Sequence, residues 1–160
     1  MTLALRSARP DEADLVFAFI RELAEYERLA HEVEATEGDI AAALFGDRPR
    51  AFAEIAEWNG EPAGFALWFY NFSTFRGRHG IYLEDLFVRP AYRGHGIGRA
   101  LLQRLARRCV GEGLPRLEWW VLDWNEPALR FYRSLGAVPM DEWTVQRVTG
   151  EALERLANGS

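Results

Sequence analysis

The residues best suited to chemistry lie in one run, Leu83-Glu84-Asp85-Leu86-Phe87-Val88-Arg89-Pro90, followed by Arg93-Gly94-His95-Gly96-Ile97-Gly98. A strand that runs into three spaced glycines and then opens a helix lets main-chain N–H groups come close to a ligand. The first N–H groups of the helix add partial positive charge, so the turn suits an anion, a pyrophosphate above all. Two known phosphate-binding patterns do not fit. The third glycine of a dinucleotide-binding turn would fall at Arg99. A Walker loop needs a lysine, and all 19 basic residues are arginine.

Glu84 is a candidate proton acceptor. Strict strand alternation puts Tyr82, Glu84, Leu86 and Val88 on one face, and Ile81, Leu83, Asp85 and Phe87 on the other. Glu84 then stands among apolar neighbours, where a carboxyl pKa rises, or it is a paired structural carboxylate. Asp85 faces away, so no simple dyad is expected. A second run, Asp123 to Gly136, contains Asn125, Pro127, Ala128, Phe131 and Tyr132. Asn125 stands between strand and helix, where its amide either caps the helix or holds a ligand amide. Pro127 suits the first helical turn. Tyr132 alone reads as a half-buried packing tyrosine. Glu22, Glu25, Tyr26, Glu27 and Glu32 cluster around a helix end, as a solvated face or as the wall of a cationic pocket. His31, His79 and His95 have no metal-ligand spacing, and Cys109 is the single cysteine, so neither a metal site nor a disulfide is expected.

The elements that must hold these residues follow from periodicity. Leu3, Leu5 and Ser7 mark a short strand, and Pro10 to about Leu29 an amphipathic helix. Thr36-Glu37-Gly38-Asp39 resembles a capping box before a second helix. Arg50–Glu57 and Ala63–Phe72 read as strands joined at Asn59-Gly60, a strong hairpin signal. Ile81–Val88 is a strand. Ile97, Leu101, Leu102, Leu105 and Cys109 line one face of the next helix. Leu117–Asp123 reads as a strand and Glu126 to Gly136 as a helix. Val138–Val148 offers one or two last strands, and Glu151–Ala157 a helical turn or frayed tail. The fold class is α/β (α+β), with a mixed, mostly antiparallel twisted sheet flanked by helices.

The chain has 160 residues, enough for one domain over 1–160. With 49 % hydrophobic residues it can bury a core, so a disordered chain is excluded. A net charge of −5 gives no basic footprint for nucleic acid. No stretch is long enough to span a membrane, and a cytoplasmic setting is the default expectation.

Arg93-x-x-Gly96-x-Gly98 after Phe87-Val88-Arg89-Pro90 resembles the acetyl-CoA signature of the GNAT superfamily of N-acetyltransferases. Asn125-Glu126-Pro127-Ala128 and Phe131-Tyr132 before Gly136-Ala137 resemble its second signature. Arg21-Glu22-Leu23-Ala24-Glu25-Tyr26-Glu27, Tyr82 to Val88 and Trp124 to Pro127 are similar to the diamine (spermidine/spermine) branch. The resemblance implies a splayed strand pair holding acetyl-CoA, the only cosubstrate expected, with no metal. It implies that Leu86, Phe87 and Val88 bind pantetheine and acetyl carbonyl. It implies a pyrophosphate cradle of Arg93, Gly94, His95, Gly96, Ile97, Gly98 and Arg99, with Asn125, Pro127 and Ala128 as further cofactor contacts. Tyr132 would be the acid toward the departing thiolate, Glu84 the base, and Tyr26 and Glu27 the amine site. Arg28 after Glu27 would repel a polycation, so a lysine-like amine stands beside the di- or polyamine reading. Other GNAT acceptors and a non-catalytic acyl-CoA-binding module are further alternatives. A homodimer is expected from the resemblance and from the Val138–Val148 strand material.

Overall fold

The computed structural model describes residues 2–159. Two compact units divide between Leu122 and Asp123. The first holds a five-stranded sheet in the order β1-β2-β3-β4-β5: β1 Leu3–Ser7, β2 Phe52–Trp58, β3 Glu61–Ser73, β4 Arg78–Val88 and β5 Leu117–Trp119. Neighbours are antiparallel except β4 and β5, which run parallel. The expected mixed, mostly antiparallel sheet is therefore present. Asn59 and Gly60, at φ 51° and 84°, close the β2–β3 hairpin with both residues left-handed.

Helices cover both sheet faces. On one face α1 (Ala13–Tyr26) and α2 (Glu37–Phe45) pack on β2 and β3. Val16, Phe19 and Leu23 of α1 are buried there, and Phe19 stacks on Phe65 with centroids 5.1 Å apart. Thr36 and Asp39 form the reciprocal capping box that starts α2. On the opposite face α3 (Ile97–Glu112) buries Ile97, Leu101, Leu102, Leu105 and Cys109. Glu54 of β2 is buried on that side at 2 % exposure. It accepts hydrogen bonds from Arg104 Nε at 2.7 Å and Trp68 Nε1 at 3.1 Å, so the buried carboxylate is partnered.

The second unit contains α4 (Glu126–Ser134) and α5 (Gly150–Ala157). Two expectations fail. β5 ends at Trp119 rather than Asp123, and Val138–Val148 forms no strand among the described residues. Its backbone finds no ladder partner, and β-propensity alone does not make a strand without one. No described helix is long and apolar enough to cross a membrane.

Candidate active site

The site is organised by one irregularity in β4. Leu67 of β3 pairs with Asp85, yet Trp68 pairs with Leu83, so Glu84 is an extra residue, a β-bulge. The bulge turns the strand over. Before it, the Ile81 N–H donates to Arg116 C=O at 3.1 Å, toward β5. After it, the Arg89 N–H donates to Ala63 C=O at 2.8 Å, toward β3. Alternation from Arg89 sends the Phe87 and Asp85 N–H groups to β3, and those of Leu86 and Val88 to the other edge. On that edge β5 pairs only from Ile81 to Leu83. The strands part where the bulge begins, and Leu86 and Val88 present main-chain donors to a gap with no strand partner. Phe87 does not join them. Its side chain is buried with Phe65, Leu67 and Val16.

The bulge also corrects the sequence assignment of faces. Leu83 lies opposite Trp68, on the α3 side, while Asp85 and Phe87 lie opposite Leu67 and Phe65, on the α1 side. Strict alternation therefore fails at Glu84. Glu84 is exposed rather than set among apolar neighbours. The carboxyl in the apolar setting is Asp85, partly buried, which strict alternation places on the opposite face. Burial, then the charges of Glu84 and Glu27, push Asp85 up to about 7. Burial also raises the Glu27 pKa. Asp85 thus feels the charges of Glu84 beside it in the bulge and of Glu27 at the end of α1. Burial and the carboxylates Glu84, Glu118 and Asp85 push the neighbouring Tyr82 phenol up as well. No sequence signal marked Asp85, because a bulge is defined only against the partner strand.

Of the other acidic residues expected there, Glu22 is neutralised: Arg89 donates to both its carboxylate oxygens at 3.0 Å. Tyr26 lies under the Arg93 guanidinium, 5.0 Å from ring centroid to carbon, and Phe87 lies 5.6 Å from the same group. Arg93 Nε donates to Val88 C=O at 2.9 Å. The Arg93 side chain is thus tied back to β4 through its Nε.

The turn Gly94–Gly96 follows. Gly94 and Gly96 have φ of 85° and 75°, a region that favours glycine. Gly96 is the N-cap of α3 and makes no side-chain cap, so the first N–H groups of the helix are not capped by it. A Cβ built at Gly94 or Gly96 meets nothing within 4 Å, so the turn is open on that side. The Ile97 side chain is core at 2 % exposure, leaving only its main chain for a ligand. His95 is exposed and stacks on Trp58. Gly98 and Arg99 continue the first turn of α3. Cys109 is buried, and burial raises its thiol pKa, which suits an inert core residue.

In the second unit Asn125 caps α4. Its Oδ1 accepts from the Ala128 N–H at 3.4 Å, which selects the capping alternative for that oxygen. Pro127 occupies the first turn. Tyr132 is partly buried on α4 beside Phe131, with ring centroids 5.5 Å apart.

The comparisons with known proteins agree with this geometry. The model of the acetyltransferase (GNAT) family matches residues 16–137. A thialysine N-epsilon-acetyltransferase of Bos taurus is 38 % identical over 96 % of this chain and 96 % of its own length. An L-ornithine N5-acetyltransferase of Arabidopsis thaliana is 30 % identical over 95 % of this chain and 86 % of its own. Among solved structures, an integron cassette protein of V. cholerae superposes with a TM-score of 0.80 at 30 % identity, covering 98 % of both chains. A ribosomal-protein-alanine N-acetyltransferase of Brucella melitensis shares the fold, with a TM-score of 0.72 at 18 % identity, 93 % of this chain and 100 % of that one. Family members use acetyl-CoA. A family match over most of the chain, joined to full-length similarity to amine acetyltransferases, shows that the chain belongs to the GNAT family and is an N-acetyltransferase acting on amines.

Proposed function

We propose that this protein acetylates the side-chain amine of a lysine-like amino acid with acetyl-CoA. The observation that carries the reading is the Glu84 bulge. It turns the Leu86 and Val88 main-chain donors into the β4–β5 gap and sets Asp85 in the field of Glu84 and Glu27. The residues present fit acetyl-CoA. Leu86 and Val88 offer N–H groups with no strand partner, and the open glycine turn leads into a helix N-terminus that suits a pyrophosphate. When bound, acetyl-CoA supplies an acetyl thioester as electrophile. Asn125, Pro127 and Ala128 are assigned to the cofactor by the second signature.

The chain's own residues then have three tasks. An alkyl ammonium has a pKa near 10.4 and must lose a proton before it attacks. Glu84 accepts that proton, directly or through water, and Asp85 and Glu27 hold the ammonium electrostatically. The Leu86 and Val88 N–H groups polarise the acetyl carbonyl. Tyr132 returns a proton to the departing sulfur. No covalent attachment to the protein is required.

The lysine-like acceptor is favoured over a di- or polyamine for two reasons. Arg28 follows Glu27, and a cation next to Glu27 in the chain suits an acceptor that carries a carboxylate. The thialysine and ornithine acetyltransferases among the relatives act, by their names, on amino acids. A relative of Homo sapiens named spermidine/spermine N(1)-acetyltransferase-like protein 1, 29 % identical over 96 % of this chain and 23 % of its own length, keeps the polyamine reading as the competitor. The test is thiol release from acetyl-CoA over lysine, thialysine, ornithine, spermidine, putrescine and an aminoglycoside. Higher kcat/KM on the amino acids supports the proposal. Preference for spermidine or putrescine selects the polyamine reading. Binding of acetyl-CoA without turnover on any amine selects the acyl-CoA-binding module.

A further inference from the structure

The glycine turn has a conformational problem of its own. Gly94 and Gly96 both adopt positive φ and carry no side chain, so their segment loses much main-chain entropy when it holds one shape. The flanks are secured: Arg93 by its bond to Val88 C=O, Ile97 by burial in the core. Within Gly94–His95–Gly96 the His95 ring is the one side chain that can hold anything. It lies face to face with the Trp58 indole, centroids 4.4 Å apart and planes within 20°.

Trp58 is well fixed. It is the last residue of β2, opposite Leu3 of β1 and Glu61 of β3. The next residue, Asn59, donates its N–H to Thr2 C=O at 2.8 Å, and its Oδ1 accepts from the Thr2 N–H at 2.9 Å. A hairpin end held by β1 and β3 therefore contacts the middle of a glycine turn 37 positions further along the chain.

We propose that Trp58 is a positioning residue for acetyl-CoA: its stack on His95 holds the Gly94–Gly96 main chain in the shape that receives the pyrophosphate. The proposal rests on the reading of this turn as a phosphate cradle. Its task is pre-organisation, so its loss is felt in binding of the phosphorylated donor and not in the transfer step.

The test compares acetyl-CoA with S-acetyl-pantetheine, which lacks the pyrophosphate, as donors for the whole protein. His95→Ala and Trp58→Leu are each expected to raise KM for acetyl-CoA about 5- to 30-fold. The kcat at saturation should stay within about twofold, and KM for S-acetyl-pantetheine should not move. Trp58→Phe keeps an aromatic face and should restore KM to within about threefold of wild type. The double variant should be no worse than the weaker single one, since both remove the same contact. Because Trp58→Leu also weakens the hairpin, His95→Ala, which leaves the sheet untouched, is the deciding variant. An unchanged KM for acetyl-CoA in His95→Ala overturns the proposal. So does an equal rise for both donors, which marks a general structural effect. If the wild-type protein used both donors with the same KM, the phosphate-cradle reading itself would fall, and the clamp with it.

Discussion

Tyr132→Phe keeps the ring on α4 beside Phe131 and removes the hydroxyl. In the proposed role of general acid, its hydroxyl would contribute about 10²–10⁴ in rate. The expected outcome is a fall in kcat of that order with less than about tenfold change in acetyl-CoA affinity, read by steady-state kinetics and calorimetry. More than half of wild-type turnover, with chemistry limiting, would leave Tyr132 a packing residue. Asp85 gives the second residue-scale prediction. Its native pKa near 7 stands above the ordinary aspartate value of 3.8, so between these values the native state binds more protons than the unfolded chain. Ionised Asp85 therefore costs stability. The cost is absent below about pH 4, grows to about pH 7 and is constant above it. Asp85→Asn should raise stability at pH 8 by on the order of 1–3 kcal/mol, seen as a higher Tm, and scarcely at pH 4. With Asp85 facing the ammonium, kcat/KM for the amine in wild type should show an acid limb near pH 7. Persistence of that limb in Asp85→Asn would exclude Asp85 from it.

The elements that matter most are β4 and the turn into α3. A regular β4 would send the Leu86 and Val88 N–H groups into the ladder with β3 and turn those of Asp85 and Phe87 to the gap beside β5 instead. The glycine turn makes the companion argument. Gly96 is the N-cap of α3 at φ 75°, where a β-branched residue is strained by about 1–2 kcal/mol, although its Cβ would meet nothing in the chain. Gly96→Val should therefore lower Tm modestly while the core persists. It should raise KM for acetyl-CoA tenfold or more, because the side chain stands where a ligand approaches. Thermal melts and donor kinetics check both parts, and an unchanged KM would count against the cradle.

For the whole molecule, we propose that both units act as one catalytic domain, since the family match at 16–137 runs across the division at Leu122. Oligomeric state is the prediction at this scale. Val138, Met140, Trp143, Val145 and Val148 are exposed, Trp143 at 75 %, on a backbone without strand partners. A second copy of this chain covering that segment would remove them from water. Light scattering at micromolar concentration should return twice the 18.3 kDa chain mass, and a monomer would refute the dimer.

Much of this protein is written locally in its sequence. Asn59-Gly60 closes a hairpin because both residues accept left-handed backbone, and Thr36 with Asp39 starts a helix through their own side chains. The 3.6-residue recurrence of Ile97, Leu101, Leu105 and Cys109 marks the buried stripe of α3. The glycine turn and the Asn125–Tyr132 run were enough to place the chain in its family. Each of these depends on neighbours a few residues away. The Glu84 bulge, the burial of Asp85, the early end of β5 and the grip of Trp58 on His95 do not. A bulge exists only against the register of β3, and one extra residue reverses every face and every N–H beyond it. Asp85 acquires its raised pKa from burial beneath α1 and from Glu27, 58 positions earlier in the chain. The sequence by itself determined which residues could bind and react, and the tertiary structure decided which way β4 presents them, because facing is set by pairing between strands and not by the order of residues along one.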